Sequence, residues 1–245
     1  MTKTAIQLAV LTAGTLFASL AQATTLNFDF RTGGTNVGSG FGNVRTFNDN
    51  DPGSNVTATA TAWTFTSGPN AFAAAQAGRA SGIGLWVCNA SEGVNCASPN
   101  HQIDNVNGFD FILLQFSTAI DPSTISIKTY SDADLDVTYY LGNAAQGLSL
   151  AGIDLTHLSE IGLGYKVNDD VNTSAISRSL TMAQPFPVNS ILIGARVGGD
   201  THADYFKISG ASVNTVSGVP EPSTWAMSGA ALVGLAILRR RRAAL

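Results

Sequence analysis

Three aspartates at alternate positions, Asp132, Asp134 and Asp136, form the densest run of potential ligands in the chain. Carboxylates suit hard cations such as Ca²⁺, which gathers about six to eight oxygens. On a strand the three would share one face; in a loop they could converge on one ion. The run is not an EF-hand, because Val137 stands where that loop needs glycine and Asn143 where it needs the bidentate glutamate. A solvated strand face or turn and a structural Ca²⁺ site both fit. A second polar group, His101, Asp104, Asn105 and Asp110, sits at the start of a very apolar segment. Asp104 and Asn105 suit turn capping through side chain to backbone bonds, and they suit metal ligation as well. His202 and Asp204 precede the final strand in the same way.

Cys88 and Cys96 are the only cysteines. In an exported chain two nearby cysteines are expected to close a disulfide. A loop this short gains roughly 2–3 kcal/mol from closure. A metal pair or reactive thiol fits less well, since no histidine lies within the loop and the spacing is not Cys-x-x-Cys. Catalytic templates are missing: there is no Gly-x-Ser-x-Gly elbow and no His-Glu-x-x-His. Acids are plentiful, but spacing alone cannot pair two of them across a cleft as a hydrolase requires. The expected role is therefore non-catalytic. Trp63, Trp86, Tyr139 and Tyr140 are candidates for stacking on a sugar, and equally for the core.

These residues must be positioned by strands. Asn55–Thr66 alternates Thr and Ala with Trp63 and Phe65 on one face. Phe109–Phe116 reads FDFILLQF, the near-continuous apolar run of a strand buried on both faces. Further strands are expected at Thr25–Phe30, Gly82–Val87, Thr124–Tyr130, Asp136–Leu141, Ile161–Val167, Ala175–Met182, Ser190–Val197 and Tyr205–Val216. Ala71–Ala80 and Gly152–Glu160 hint at helix. Gly33–Gly42 reads as a loop without phosphate-binding spacing. Many short strands at close spacing predict an all-β fold, an antiparallel sandwich of jelly-roll type.

The two ends carry a different message. Lys3 precedes a mostly apolar stretch, and Ala21-Gln22-Ala23 is an A-x-A site, so signal peptidase is expected to leave Thr24 as the new N-terminus. At the other end Pro220-Glu221-Pro222 is followed by an uncharged run from Trp225 to Leu238 and then by Arg239, Arg240, Arg241 and Arg242. Fourteen residues of helix extend about 21 Å, a short span. Arginines that snorkel on one side and an interfacial Trp225 on the other make it sufficient. The arginine cluster keeps that end cytoplasmic, so the chain before Trp225 lies outside. Between these ends, residues 24–217 hold sixteen acidic groups against eight basic ones. Such an acidic body argues against nucleic acid, whose binding rests on phosphate neutralisation.

In its order of Pro-Glu-Pro, Ser-Thr, one hydrophobic segment and terminal arginines, the tail resembles the PEP-CTERM sorting signal of Gram-negative bacteria. That resemblance implies recognition by exosortase, an inner-membrane-tethered intermediate, and transfer to the cell surface or extracellular matrix. It implies no chemistry by this chain. GIGLWVCN, the segment from His101 to Asp110, FILLQF and the segment from Ser131 to Val137 resemble the body of exosortase-dependent surface proteins. The expected organisation is a signal peptide at 1–23, an extracytoplasmic β domain at 24–217 and a sorting signal with one membrane helix at 218–245. The expected function is a structural or interaction role in exopolysaccharide or biofilm. A calcium-assisted carbohydrate-binding module is the alternative, and a polysaccharide hydrolase is third.

Overall fold

The structure, a computed structural model, describes residues 23–65, 71–94, 96, 101–129, 134–170, 176–182, 184–198 and 203–216. Residues Thr24–Val216 form one compact unit. Among the described residues it is all-β, and its one helical turn is the 3-10 turn Leu158–Ile161. No described helix is long and apolar enough to cross a membrane. The segment from Trp225 to Leu238 lies outside the described residues, as do Ala21, Asp132, Pro220, Glu221, Pro222 and Arg239 to Arg242.

Thirteen strands are described: β1 Thr25–Asp29, β2 Thr35–Val37, β3 Val44–Asn48, β4 Thr57–Phe65, β5 Ala73–Ala80, β6 Gly84–Cys88, β7 Ile103–Asp104, β8 Phe109–Lys128, β9 Val137–Gly142, β10 Tyr165–Asp169, β11 Ser177–Thr181, β12 Val188–Ala195 and β13 Tyr205–Thr215. Among the described residues every strand pair is antiparallel, and the main path runs β10-β9-β12-β8-β13-β6-β5-β4-β3-β2. The pairing is one continuous network rather than two separately bonded sheets. The reason is β8, at 20 residues the longest strand. Its first half pairs β4 and β12, and its second half pairs β13 and β11. The sequence predicts two strands here, Phe109–Phe116 and Thr124–Tyr130, and the structure joins them into one that runs through Asp121-Pro122. Pro122 is tolerated because it faces Val213 where the β13 register shifts.

FILLQF explains how the centre holds. Ile112, Leu114 and Phe116 enter one core with Leu26, Phe28, Val137, Ile191 and Phe206. Phe111 and Leu113 enter a second core on the other face, with Trp63, Phe65, Phe72, Tyr140 and Leu192. Leu148, Leu150, Leu158 and Leu163, from the segment between β9 and β10, close that second core.

Three expectations fail locally. Ala71–Ala80 is not helix: Ala73–Ala80 is β5, held between β4 and β6. Alanine favours helix, but Ala75 and Ala77 alternate into the core and Gly78 lies beneath the Trp86 ring, where a Cβ would collide. Tertiary packing overrides propensity there. The Gly33–Gly42 loop contains the exposed edge strand β2, whose pairing with β3 the glycine content concealed. Gly152–Glu160 is mostly turn, with helix limited to the Leu158–Ile161 turn.

Candidate functional site

Asp104 and Asn105 are neighbours in the chain, yet they serve two separate polar clusters. Asp104 ends β7 and Asn105 opens the bend that follows, so the two side chains meet different partners.

Asn105 belongs to an acidic cluster. Its Nδ2 donates to Asp204 Oδ2 at 2.9 Å, and the Asp204 N–H donates to Asn105 Oδ1 at 3.0 Å. Asp134 forms a parallel bridge with Asp204. One carboxylate oxygen from each of Asp134, Asp136 and Asp204 lies within 4.8 Å of the others. Asp136 and Asp204 are wholly buried and Asp134 partly so. Asp134 Oδ1 is buried without a hydrogen bond. Arg196 Nη1 donates to Asp136 Oδ2 at 3.0 Å and also contacts Asp170. Three carboxylates so placed suit a calcium-type oxygen site. Arg196 already supplies positive charge to one of them, so a second cation must share Asp136. Asp134 and Asp136 therefore do not line a solvated strand face.

Asp104 belongs to a second polar group, a chamber only in the sense that its acids Asp104 and Asp110 and its base Lys207 are buried, with Glu92 of the disulfide-bonded segment beside them. Cys88 and Cys96 are bonded, with Cα atoms 5.8 Å apart, so they cannot ligate a metal together with the adjacent Glu92. Asp104 Oδ1 accepts the Val106 N–H at 2.9 Å, which is the turn-capping role expected of it. Burial nevertheless pushes its carboxyl up to about 7, and the nearby Glu92 charge adds to the rise. Asp110 is wholly buried, and burial followed by the Asp104 charge raises it well above the usual carboxylate range. Asn89 Nδ2 donates to Asp110 Oδ1 at 3.2 Å, while Asp110 Oδ2 is buried without a hydrogen bond. Lys207 is 1 % exposed, its Nζ donates to the His101 carbonyl, and burial lowers its ammonium to about 8.

The sequence grouping of Asp104 with Asn105, and of both apart from Asp204, did not anticipate this partition. It also passed over Lys207, although a lysine inside Tyr205-Phe206-Lys207-Ile208 breaks an otherwise apolar strand and was the available signal. Of the stacking candidates, Trp63, Tyr139 and Tyr140 are core residues. Trp86 covers Gly78 and meets His101 edge-on at 5.9 Å. None of the first three is available as an open platform.

The ends of the body meet. Thr24 N donates to Thr215 Oγ1 at 2.8 Å, and Thr215 N donates to the Thr24 carbonyl at 2.8 Å. The expected cleavage point after Ala23 thus abuts the last strand. Residues 218–242, just beyond the body, match the family model of the PEP-CTERM protein-sorting motif. No curated protein matches the chain. The chain carries a PEP-CTERM protein-sorting motif, which marks it for exosortase-dependent export.

Proposed function

We propose that this protein is a non-catalytic component of the extracellular matrix, delivered by its tail and working through its β body in exopolysaccharide or biofilm. The observation that carries the reading is the closure of the body before the motif begins. β1 and β13 pair along five residues, and the motif starts two residues after Val216. Such a body can fold as finished cargo while the tail is handled separately. In this reading the strands wrap into a jelly-roll-like sandwich, since every strand but β2 places a residue in one core or against it. Signal peptidase and exosortase act on the two ends, and the surface or matrix is the destination.

Deleting residues 225–245 tests the sorting half of the proposal. The truncated protein should appear in the periplasm or medium, and unchanged surface display would refute it. For the matrix half, the purified body is incubated with the host's own polysaccharide. Co-sedimentation without sugar release fits a structural role. Sustained release of reducing ends would make the protein a hydrolase instead.

A second reading, a calcium-assisted carbohydrate-binding module, is favoured by the convergence of Asp134, Asp136 and Asp204. An aromatic pair also lines a surface cleft of about 420 Å³: Tyr165 and Phe186 meet edge-on at 6.0 Å. The cleft lies at the far end of β9 from Asp136, so Ca²⁺ would stiffen the strand rather than touch the sugar. A glycan array with and without EDTA separates the readings, saturable EDTA-sensitive binding being the module's signature.

A further inference from the structure

We propose that Asn107-Gly108, in the turn between β7 and β8, is a self-modifying site. The Asn107 side chain cyclises onto the Gly108 nitrogen and reopens as aspartate or isoaspartate, at a rate set by the disulfide loop. The inference stands apart from the matrix reading and rests on the turn and the loop beside it.

The fold calls for both residues. Asn107 is the one non-glycine residue at positive φ among the described residues, at 63°. Asparagine tolerates that left-handed region better than most side chains. Gly108 has a φ of 143°, and a Cβ there would lie 2.9 Å from the Thr64 hydroxyl oxygen. Glycine meets both demands. Two separate backbone constraints thus create the one Asn-Gly step in the chain. Such a step cyclises readily, because the attacking nitrogen belongs to a residue with no side chain to block its approach.

Access comes next. Asn107 is exposed, and Val106 beside it is 44 % exposed. The Asn107 side-chain amide makes no hydrogen bond among the described residues. The turn is held at its borders instead. On one side Asp104 Oδ1 accepts the Val106 N–H at 2.9 Å. On the other, the loop closed by Cys88 and Cys96 supplies two contacts. The Ser91 hydroxyl, shared with Asn89 Oδ1, lies 3.2 Å from the Asn107 carbonyl oxygen. Asn89 Nδ2 donates to Asp110 Oδ1 at 3.2 Å. A left-handed residue carries the following nitrogen away from its own side chain, so attack waits for the bend to open. Loosening the loop therefore speeds the chemistry.

In the first step the Gly108 nitrogen attacks Cγ of Asn107. A C–N bond forms, the bond from Cγ to Nδ2 breaks, and Nδ2 leaves as ammonia with the proton from Gly108. Water then opens the five-membered imide. Opening at Cγ gives aspartate; opening at the main-chain carbonyl gives isoaspartate, with the backbone routed through the side chain. The balance is asparagine plus water to an acid plus ammonia, with no oxidant or reductant. Either product places a new carboxylate in a turn bordered by Asp104 and Asp110, and isoaspartate lengthens the backbone there.

The test follows the amide. The full chain is exported to an oxidising compartment of a host lacking exosortase and purified in detergent with its disulfide formed. It is incubated at mildly alkaline pH in water labelled with oxygen-18, then digested briefly with trypsin in ordinary water. Label then marks conversion before digestion. Asn107 lies on peptide 80–128, with Asn89, Asn95, Asn100 and Asn105 as internal comparisons. Asn107 should lose its amide and gain label several times faster than those four. Methyl transfer from labelled S-adenosylmethionine by an isoaspartyl methyltransferase should mark the same residue. Asn107→Gly, which keeps the positive φ, should remove the conversion while the disulfide and far-UV circular dichroism stay as in the parent. Ser91→Ala, and separately Cys88→Ser with Cys96→Ser, should raise the rate severalfold towards that of the urea-unfolded chain. An Asn107 amide that survives as long as its four neighbours overturns the proposal. So does a rate that neither loop variant changes.

Discussion

Two acidic clusters lie on either side of the Asp104-Asn105 step, and they solve the same electrostatic problem differently. The cluster of Asp134, Asp136 and Asp204 has Arg196 at its margin, with 15 % of that side chain exposed, and keeps a partly open carboxylate in Asp134. The second group, Glu92, Asp104 and Asp110, adjoins the disulfide-bonded segment through Glu92 and Asn89, and Lys207 is buried near Asp104. In the first, charge is balanced by a guanidinium and stays compatible with an added cation. In the second, burial without a guanidinium favours the protonated form of the acids. The partner a buried aspartate meets, more than composition, decides which outcome it reaches.

The difference can be broken from the chamber side first. Lys207→Met should cost about 3 kcal/mol in urea unfolding, because it removes the charged, buried donor of the His101 carbonyl. A loss no larger than that of Arg196→Met would erase the distinction between the clusters. Next in size, Cys88→Ser with Cys96→Ser should lower stability by roughly 2–3 kcal/mol and expose Glu92 and Asn89 to hydrogen exchange. If both properties stay at parental values, the loop does not shield the group. From the other side, Ca²⁺ should stabilise the parent and not Asp204→Asn, by up to about 2.7 kcal/mol when its concentration is a hundred times Kd, read as a higher melting temperature. A response retained by Asp204→Asn would place any ion elsewhere.

The pH dependence of Asp110 tests the same distinction by titration. Its folded pKa lies above the unfolded value, so the folded state keeps a proton that the unfolded chain releases. The stability from that proton is complete below the unfolded pKa near 3.8 and is lost as pH rises towards the folded one. Asp110→Asn should flatten this fall. A parent whose stability rises across the same interval, relative to the variant, would show Asp110 ionised.

Much of the framework was legible in the residues. The alternation in Asn55–Thr66 placed Trp63 and Phe65 together, and both sit in one core. FILLQF required two buried faces and has them. The cysteine pair closes as its spacing suggested. Ala71–Ala80 misled because alanine propensity is weak beside the packing of Ala75, Ala77 and Gly78 against neighbouring strands. The candidate sites were read by proximity in sequence, and that was the wrong metric. Asp204 joins Asn105 across 99 positions, and Lys207 reaches His101 across 106.

Local chemistry by itself determined the strand pattern, the disulfide and the sorting tail, because each depends on a short run of side chains meeting water, a neighbour or a membrane. Only the tertiary structure decided that β8 would join both halves of the network and that Asp104 and Asn105 would part company. The cause is pairing at long range. Antiparallel partners fix which face each residue takes, and that face sets whether a carboxylate meets solvent, an arginine or a lysine held away from water.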